Sequence, residues 1–143
     1  MGMEYIQNMR KLQDIAVSSV HEGMLISDFL NLLSKQCREA AERWYHDPLT
    51  GERIFLNKGE RFALIHSEIS EAFEGERKDL MDQHLPNRKS VEVELADAMI
   101  RIFDYAGEYN LDLGGALVDK LAYNRTREDH TNAHRLGPNG KKF

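Results

Sequence analysis

The stretch "ALIHSEISEAFEGERKDL", residues 63–80, decides the fold. Leu64, Ile65, Ile69, Ala72 and Phe73 recur at helical spacing, as the buried stripe of a helix should. Glu68 and Glu71 stand in the middle of it. "ELADAM", residues 94–99, repeats the pattern, with Glu94 and Asp97 among Val91, Leu95, Ala98, Met99, Ile102 and Phe103. Burying an unpaired carboxylate costs several kcal/mol. These acids therefore face water, or a cation is meant to meet them.

Outward from these two stretches the chain reads as all-α, a helical bundle of about four to five helices. Asn57 followed by Glu60 forms a capping box that opens the helix of the first stretch, predicted to run to about Leu80. A loop containing Pro86 follows. Ser90 is the expected cap of the next helix, which ends near residues 108–110. Asp112 caps another through Leu113, Leu117, Leu121 and Asn124. Upstream, Tyr5, Met9, Leu12 and Ala16 predict a first helix ending near Gly23. Ser27 is expected to cap a second, carrying Phe29, Leu33, Cys37, Ala40 and Trp44 on one side. "HDPLTGE", residues 46–52, is a turn, and "RIFL" after it is too short to assign as strand or extended arm. The expected organisation is one helical domain over residues 1–130 and a loop-like tail over 131–143.

With 143 residues, 41% hydrophobic and 30% charged, the chain matches a single ordinary globular domain. Its net charge of −5 argues against a general nucleic-acid surface, which would be basic. Cys37 is the lone cysteine, so an intrachain disulfide and a thiolate zinc cluster are excluded and a cytoplasmic setting is expected. No leader segment is recognised, and no apolar run approaches the ~18 residues of a membrane span. No membrane partner is expected.

Acid-x-x-acid pairs occur six times (39/42, 68/71, 71/74, 76/79, 79/82 and 94/97), so the spacing alone is weak. Context selects two. Residues three apart lie about 60° apart around a helix, so 68 and 71 share a face, as do 94 and 97. Both pairs sit mid-helix in apolar surroundings. If the helices pack antiparallel, four carboxylates converge, and a divalent cation turns their repulsion into binding. Oxygen ligands without His or Cys favour a hard ion, Mg²⁺ or Mn²⁺. The Glu-x-x-His pairs of a ferritin-like di-iron site do not occur.

Lys120, Asn124 and Arg127 follow at steps of four and three along the last helix, drifting by only about 20°. Set beside magnesium carboxylates, such a stripe suits a polyphosphate. Taken alone it reads equally as a solvated basic edge. His66 reads as an ordinary helix histidine, and Asp104 as a supporting group or the partner of Arg101. Trp44 reads as core, with stacking on a nucleobase as the alternative. Walker A, Rossmann and G-x-S-x-G patterns do not occur in the sequence.

Glu68-x-x-Glu71, 22 residues, then Glu94-x-x-Asp97 resembles the signature of the MazG-like all-α nucleoside triphosphate pyrophosphohydrolases. The strings "ALIHSEISEAFEGERKDL" and "VEVELADAMIRIFDYAGEYNLDLGGALVDKLAYN" are similar to their phage and bacterial branch, over roughly residues 57–130. The resemblance implies a bundle that assembles as a homodimer or homotetramer. It implies Mg²⁺-dependent cleavage of a nucleoside triphosphate to the monophosphate and pyrophosphate, with Mn²⁺ able to substitute. Glu68, Glu71, Glu94 and Asp97 would be metal ligands, with Glu71 preferred as the base. Lys120, Asn124 and Arg127 would hold phosphate oxygens. A purine deoxynucleotide such as dGTP is the expected substrate, taken as a free nucleotide and not as a nucleic-acid polymer. A nucleotide- or metal-sensing bundle without turnover is the alternative, and a plain helical interaction module a third reading.

Overall fold

The computed structural model describes residues 25–127, 131–138 and 140. The helix expected around Tyr5 to Ala16 lies outside them. Among the described residues the chain is all-α, with five α-helices and no strand. They are α1 (Ile26–Ala40), α2 (Lys58–Lys78), α3 (Ser90–Glu108), α4 (Leu113–Thr126) and α5 (Asn132–Arg135), with a 3₁₀ turn at Glu42–Tyr45. Among the described residues, no helix is long and apolar enough to cross a membrane. The described residues fall into two compact units, one of Asn31–Leu111 and one that takes in residues 25–30 and those from Asp112 onward.

The unit of residues 31–111 is built on the α2–α3 hairpin, the principal helix pair of the described residues. Asn57 opens α2 as expected, its side chain accepting from the Gly59 and Glu60 amides at 2.8 and 3.3 Å. The helix stops at Asp79, which takes a left-handed conformation (φ 50°) and lets the Leu80 amide return to the Gly75 carbonyl at 3.0 Å. Asp82 then fastens the connection, accepting from the His84 and Leu85 amides. Ser90 is not the cap of α3. Lys89 holds that position without a side-chain bond, and Ser90 is the first helical residue. Its side chain packs against Gly75 instead, where a Cβ would lie 2.7 Å from Ser90 Oγ. The neighbours 75 and 90, 68 and 101, 61 and 104 run in opposite order along the chain, so the pair is antiparallel.

Ala72, Ala98, Phe103 and Ala106 make the buried apolar seam together with Tyr45. Small residues bring the two helix backbones together. Much larger apolar surface stays outside: Phe62, Ile69 and Phe73 on α2, and Leu95, Met99 and Ile100 on α3, are about half exposed. Gly107 admits α1, since any side chain there would strike the Ser34 carbonyl. Trp44 is not core. It is 63% exposed, and the neighbouring Tyr45 occupies the interior at 2%.

Residues 46–52 form the expected turn: Asp47 accepts from the Leu49 and Thr50 amides, and Gly51 has φ 71°. Arg53 then bridges back to His46. In the other unit, Asp112 caps α4 through the Gly115 amide at 2.9 Å. The segment read as a loop-like tail contains one helical turn, α5, capped by Thr131.

Candidate metal centre

Glu68 comes from the middle of α2, and Glu94 and Asp97 from the first half of α3. The antiparallel pairing brings ligand oxygens of these three to within 4.8 Å of one another. Oxygens bound to one Mg²⁺ at 2.0–2.1 Å lie up to about 4.2 Å apart. The three carboxylates are therefore spaced for a small hard cation after slight side-chain adjustment. Glu68 is buried, Glu94 half-buried and Asp97 exposed, so the centre opens from the helix interface toward solvent.

Glu71 is not in this close group. It sits one turn further along α2 on its exposed side, near enough for its charge to reach Glu94. Burial, then the charges of Glu71 and Glu68, a hydrogen bond with Glu68 and the Asp97 charge hold the Glu94 carboxyl above its ordinary range. Desolvation and the Glu68 charge raise Asp97 too, with Arg101 opposing them and Asp82 adding to them. Acids that retain a proton to relieve crowding are acids a divalent cation would relieve instead. On donor type, spacing and charge, the set could hold a metal ion.

Arg101 is the residue at the cluster whose partner the sequence reading misplaced. Its Nε donates to Glu68 Oε1 at 2.6 Å, so it is not the partner of Asp104. Asp104 is buried and accepts from Tyr45 Oη at 3.0 Å and from Arg61 Nη2. The available signal was the stripe Glu94, Asp97, Arg101, spaced three and then four residues apart on one helix face. His66 is exposed and outside the cluster.

A partly buried ionic network at the C-terminal end of α3 surrounds the 3₁₀ turn. Arg38 lies 3.6 Å over the Tyr45 ring and pairs with Glu108 at 2.5 Å, and Arg53 reaches the other Glu108 oxygen at 2.6 Å. Burial would raise the Glu108 carboxyl, but Arg38 and Arg53 outweigh it and hold the group below its usual range.

Lys120 and Asn124 lie on α4, and Arg127 is the residue that caps it. Lys120 Nζ and the Arg127 guanidinium flank the Tyr123 ring at 4.9 and 5.8 Å. Asn124 Oδ1 is buried without a hydrogen-bond partner among the described residues. These three belong to the unit that begins at Asp112, and the acids to the unit of Asn31–Leu111. Compared with protein-family models, curated proteins and solved structures, the chain matches none.

Proposed function

We propose that the chain is a Mg²⁺-dependent nucleoside triphosphate pyrophosphohydrolase of the MazG-like kind, working as a homodimer or homotetramer. The observation that carries this reading is the convergence of Glu68, Glu94 and Asp97 across two antiparallel helices, with Arg101 against them. A hard divalent ion at such a centre supplies charge neutralisation for phosphate oxygens and for the developing transition state.

The protein's own groups divide the remaining work. Glu68, Glu94 and Asp97 would hold the cation, and Glu71 lies outside that close group on the exposed side of α2. Glu71 takes a proton from the attacking water. Water oxygen bonds to the α-phosphorus as the bond to the α,β-bridging oxygen breaks, and pyrophosphate leaves with that oxygen. Arg101 keeps donors beyond the Nε bonded to Glu68 for a phosphate oxygen, and the resemblance supplies Lys120, Asn124 and Arg127 as candidates for further phosphate contacts. A purine deoxynucleotide such as dGTP is the preferred substrate. The half-exposed apolar residues of α2 and α3 support assembly, because a second copy could cover such surface.

The test is a panel of nucleoside triphosphates incubated with Mg²⁺, with monophosphate and pyrophosphate quantified. Equimolar products, abolished by EDTA and restored by Mg²⁺ or Mn²⁺, are expected. Hydrolysis undiminished by EDTA, or none across the panel, would refute the reading.

A further inference from the structure

Along α4 and its cap, Lys120, Tyr123 and Arg127 are spaced three and then four residues apart, the separations at which helix side chains become neighbours. Tyr123 stands between the two cations. The Lys120 ammonium lies 4.9 Å and the Arg127 guanidinium 5.8 Å from its ring centroid, both inside the roughly 6 Å over which a ring attracts a cation. Asn124 follows directly, on the same stripe as Lys120 and Arg127. All four sit in the unit that begins at Asp112.

Helix electrostatics explains only part of this arrangement. A helix C-terminus attracts a cation through its partial negative charge, and the effect falls off within the last turn. That accounts for Arg127, the C-terminal cap of α4, but not for Lys120, which lies more than one turn before the helix ends at Thr126. Among the described residues Lys120 meets the Tyr123 ring and no carboxylate, so no ion pair neutralises its charge. The ring is 57% exposed, so it adds little to a core and is placed to act on its neighbours.

Two cations this close repel one another, and each ends a long side chain with about 2 kcal/mol of rotamer entropy. An aromatic ring with its negative face lowers both costs, since it attracts each charge and narrows the rotamers each samples. An anion with charge spread over several oxygens then meets cations already held, and less ordering is left for the moment of binding. The partial negative charge of the helix end repels that anion, which favours two cations over one.

We propose that Tyr123 is a positioning residue that holds Lys120 and Arg127 ready for the phosphate oxygens of a polyphosphate. The proposal rests on the nucleotide reading above and adds to it a residue that acts on the substrate only through its two neighbours.

The full chain is titrated calorimetrically with inorganic tripolyphosphate, in EDTA so that no metal takes part. Saturable binding is expected, weakening as salt is raised. Tyr123→Leu keeps an apolar side chain without a ring and should weaken binding about fivefold, and Tyr123→Phe should recover most of that loss. In a Lys120→Ala background the same change to leucine should weaken binding only about twofold, because one of the ring's two partners is gone. In hydrolysis assays with Mg²⁺, Tyr123→Leu should raise KM about fivefold at nearly constant kcat. Tyr123→Gln, also without a ring, carries the same expectations if Tyr123→Leu does not fold.

Equal tripolyphosphate binding by the parent and the ringless variants would overturn Tyr123 as the positioning residue. So would a loss in Tyr123→Phe as large as that in Tyr123→Leu, which would point to the hydroxyl, or an undiminished effect of Tyr123→Leu in the absence of Lys120. No binding of tripolyphosphate by the parent while Mg²⁺-dependent hydrolysis runs would overturn the proposal and leave the enzyme reading standing. The expected pattern of binding without hydrolysis of any triphosphate would instead overturn the enzyme reading and keep the role of Tyr123.

Discussion

Arg101 donates its Nε hydrogen to Glu68 Oε1 at 2.6 Å, which places a guanidinium against a group of carboxylates gathered for a cation. A cation bound there as proposed would compete with arginine for that oxygen. Its side chain is 41% exposed, so water screens much of the interaction. Replacing it with methionine should strengthen Mg²⁺ binding modestly, by about fivefold, since a nearby like charge is removed. Turnover should move the other way and fall by about tenfold or more, because the proposed phosphate contact would be lost. Calorimetric Mg²⁺ titration and steady-state kinetics on the same variant check the opposite signs. Weaker Mg²⁺ binding in Arg101→Met would contradict the competition.

The raised carboxyls give a pH signature. Burial first, then the Glu71 and Glu68 charges, hold Glu94 above its ordinary 4.5, and desolvation with the Glu68 charge holds Asp97 above 3.8. The folded chain thus keeps protons that the unfolded chain has released. Their stabilising contribution is present at and below those ordinary values and is lost as pH rises through the folded ones. A divalent cation replaces those protons, so its benefit grows over the same window. Saturating Mg²⁺ should raise Tm little near about pH 4.5 and by several degrees near about pH 7.5. Glu94→Gln should flatten both trends. An equal Mg²⁺ shift at the two pH values, followed by circular dichroism, would count against the site.

The helix frame was legible because its signals are local. Asn57 and Asp112 carry cap oxygens next to regular apolar spacing, and both cap as their positions suggest. Tertiary partners were not legible. Asp104 and Arg101 are three apart on one helix, yet Arg61 reaches Asp104 from α2 and Glu68 draws Arg101 away. Hydrophobicity assigns Trp44 to the core, but Tyr45 takes the buried position because Asp104 satisfies its hydroxyl and three arginines surround its ring. Spacing of three put Glu68 and Glu71 on a shared face, but the roughly 60° between them suffices to bury one and expose the other. Convergence of the remaining acids was foreseeable from the pattern, and only the antiparallel register settled which ones meet.

Exposure of Glu71 outside the close cluster suits a base more than a structural ligand. Glu71→Gln keeps the side chain's size and removes its basicity. Turnover should fall by about a hundredfold or more with little change in Mg²⁺ binding and an unchanged or slightly higher Tm. If Arg127 holds a phosphate oxygen as proposed, Arg127→Ala should chiefly raise KM, with a smaller loss of kcat. Near-normal kcat in Glu71→Gln would remove it from the mechanism, and matching kinetic profiles for both variants would argue that neither acts as assigned.

The Arg61–Asp104–Tyr45 cluster should govern stability more than binding of metal. Both ion-pair partners are nearly enclosed, with 11% and 12% of their side chains exposed. Removing one partner from such a pair costs about 3–5 kcal/mol, because the other is left charged and buried. Asp104→Ala strands Arg61 and also frees the Tyr45 hydroxyl, so it should lie at the upper end of that range. Replacing both members with apolar residues of similar volume, Arg61→Met with Asp104→Leu, should recover much of the loss, since no buried charge then remains. Mg²⁺ affinity should stay within a fewfold of the parent wherever the fold persists, because Glu68, Glu94 and Asp97 keep their own helix positions. Urea unfolding of the two single variants and the double variant measures the coupling. Additive losses would show that Arg61 and Asp104 do not act as a pair, and loss of Mg²⁺ binding in the folded double variant would show that the network holds the metal centre in place.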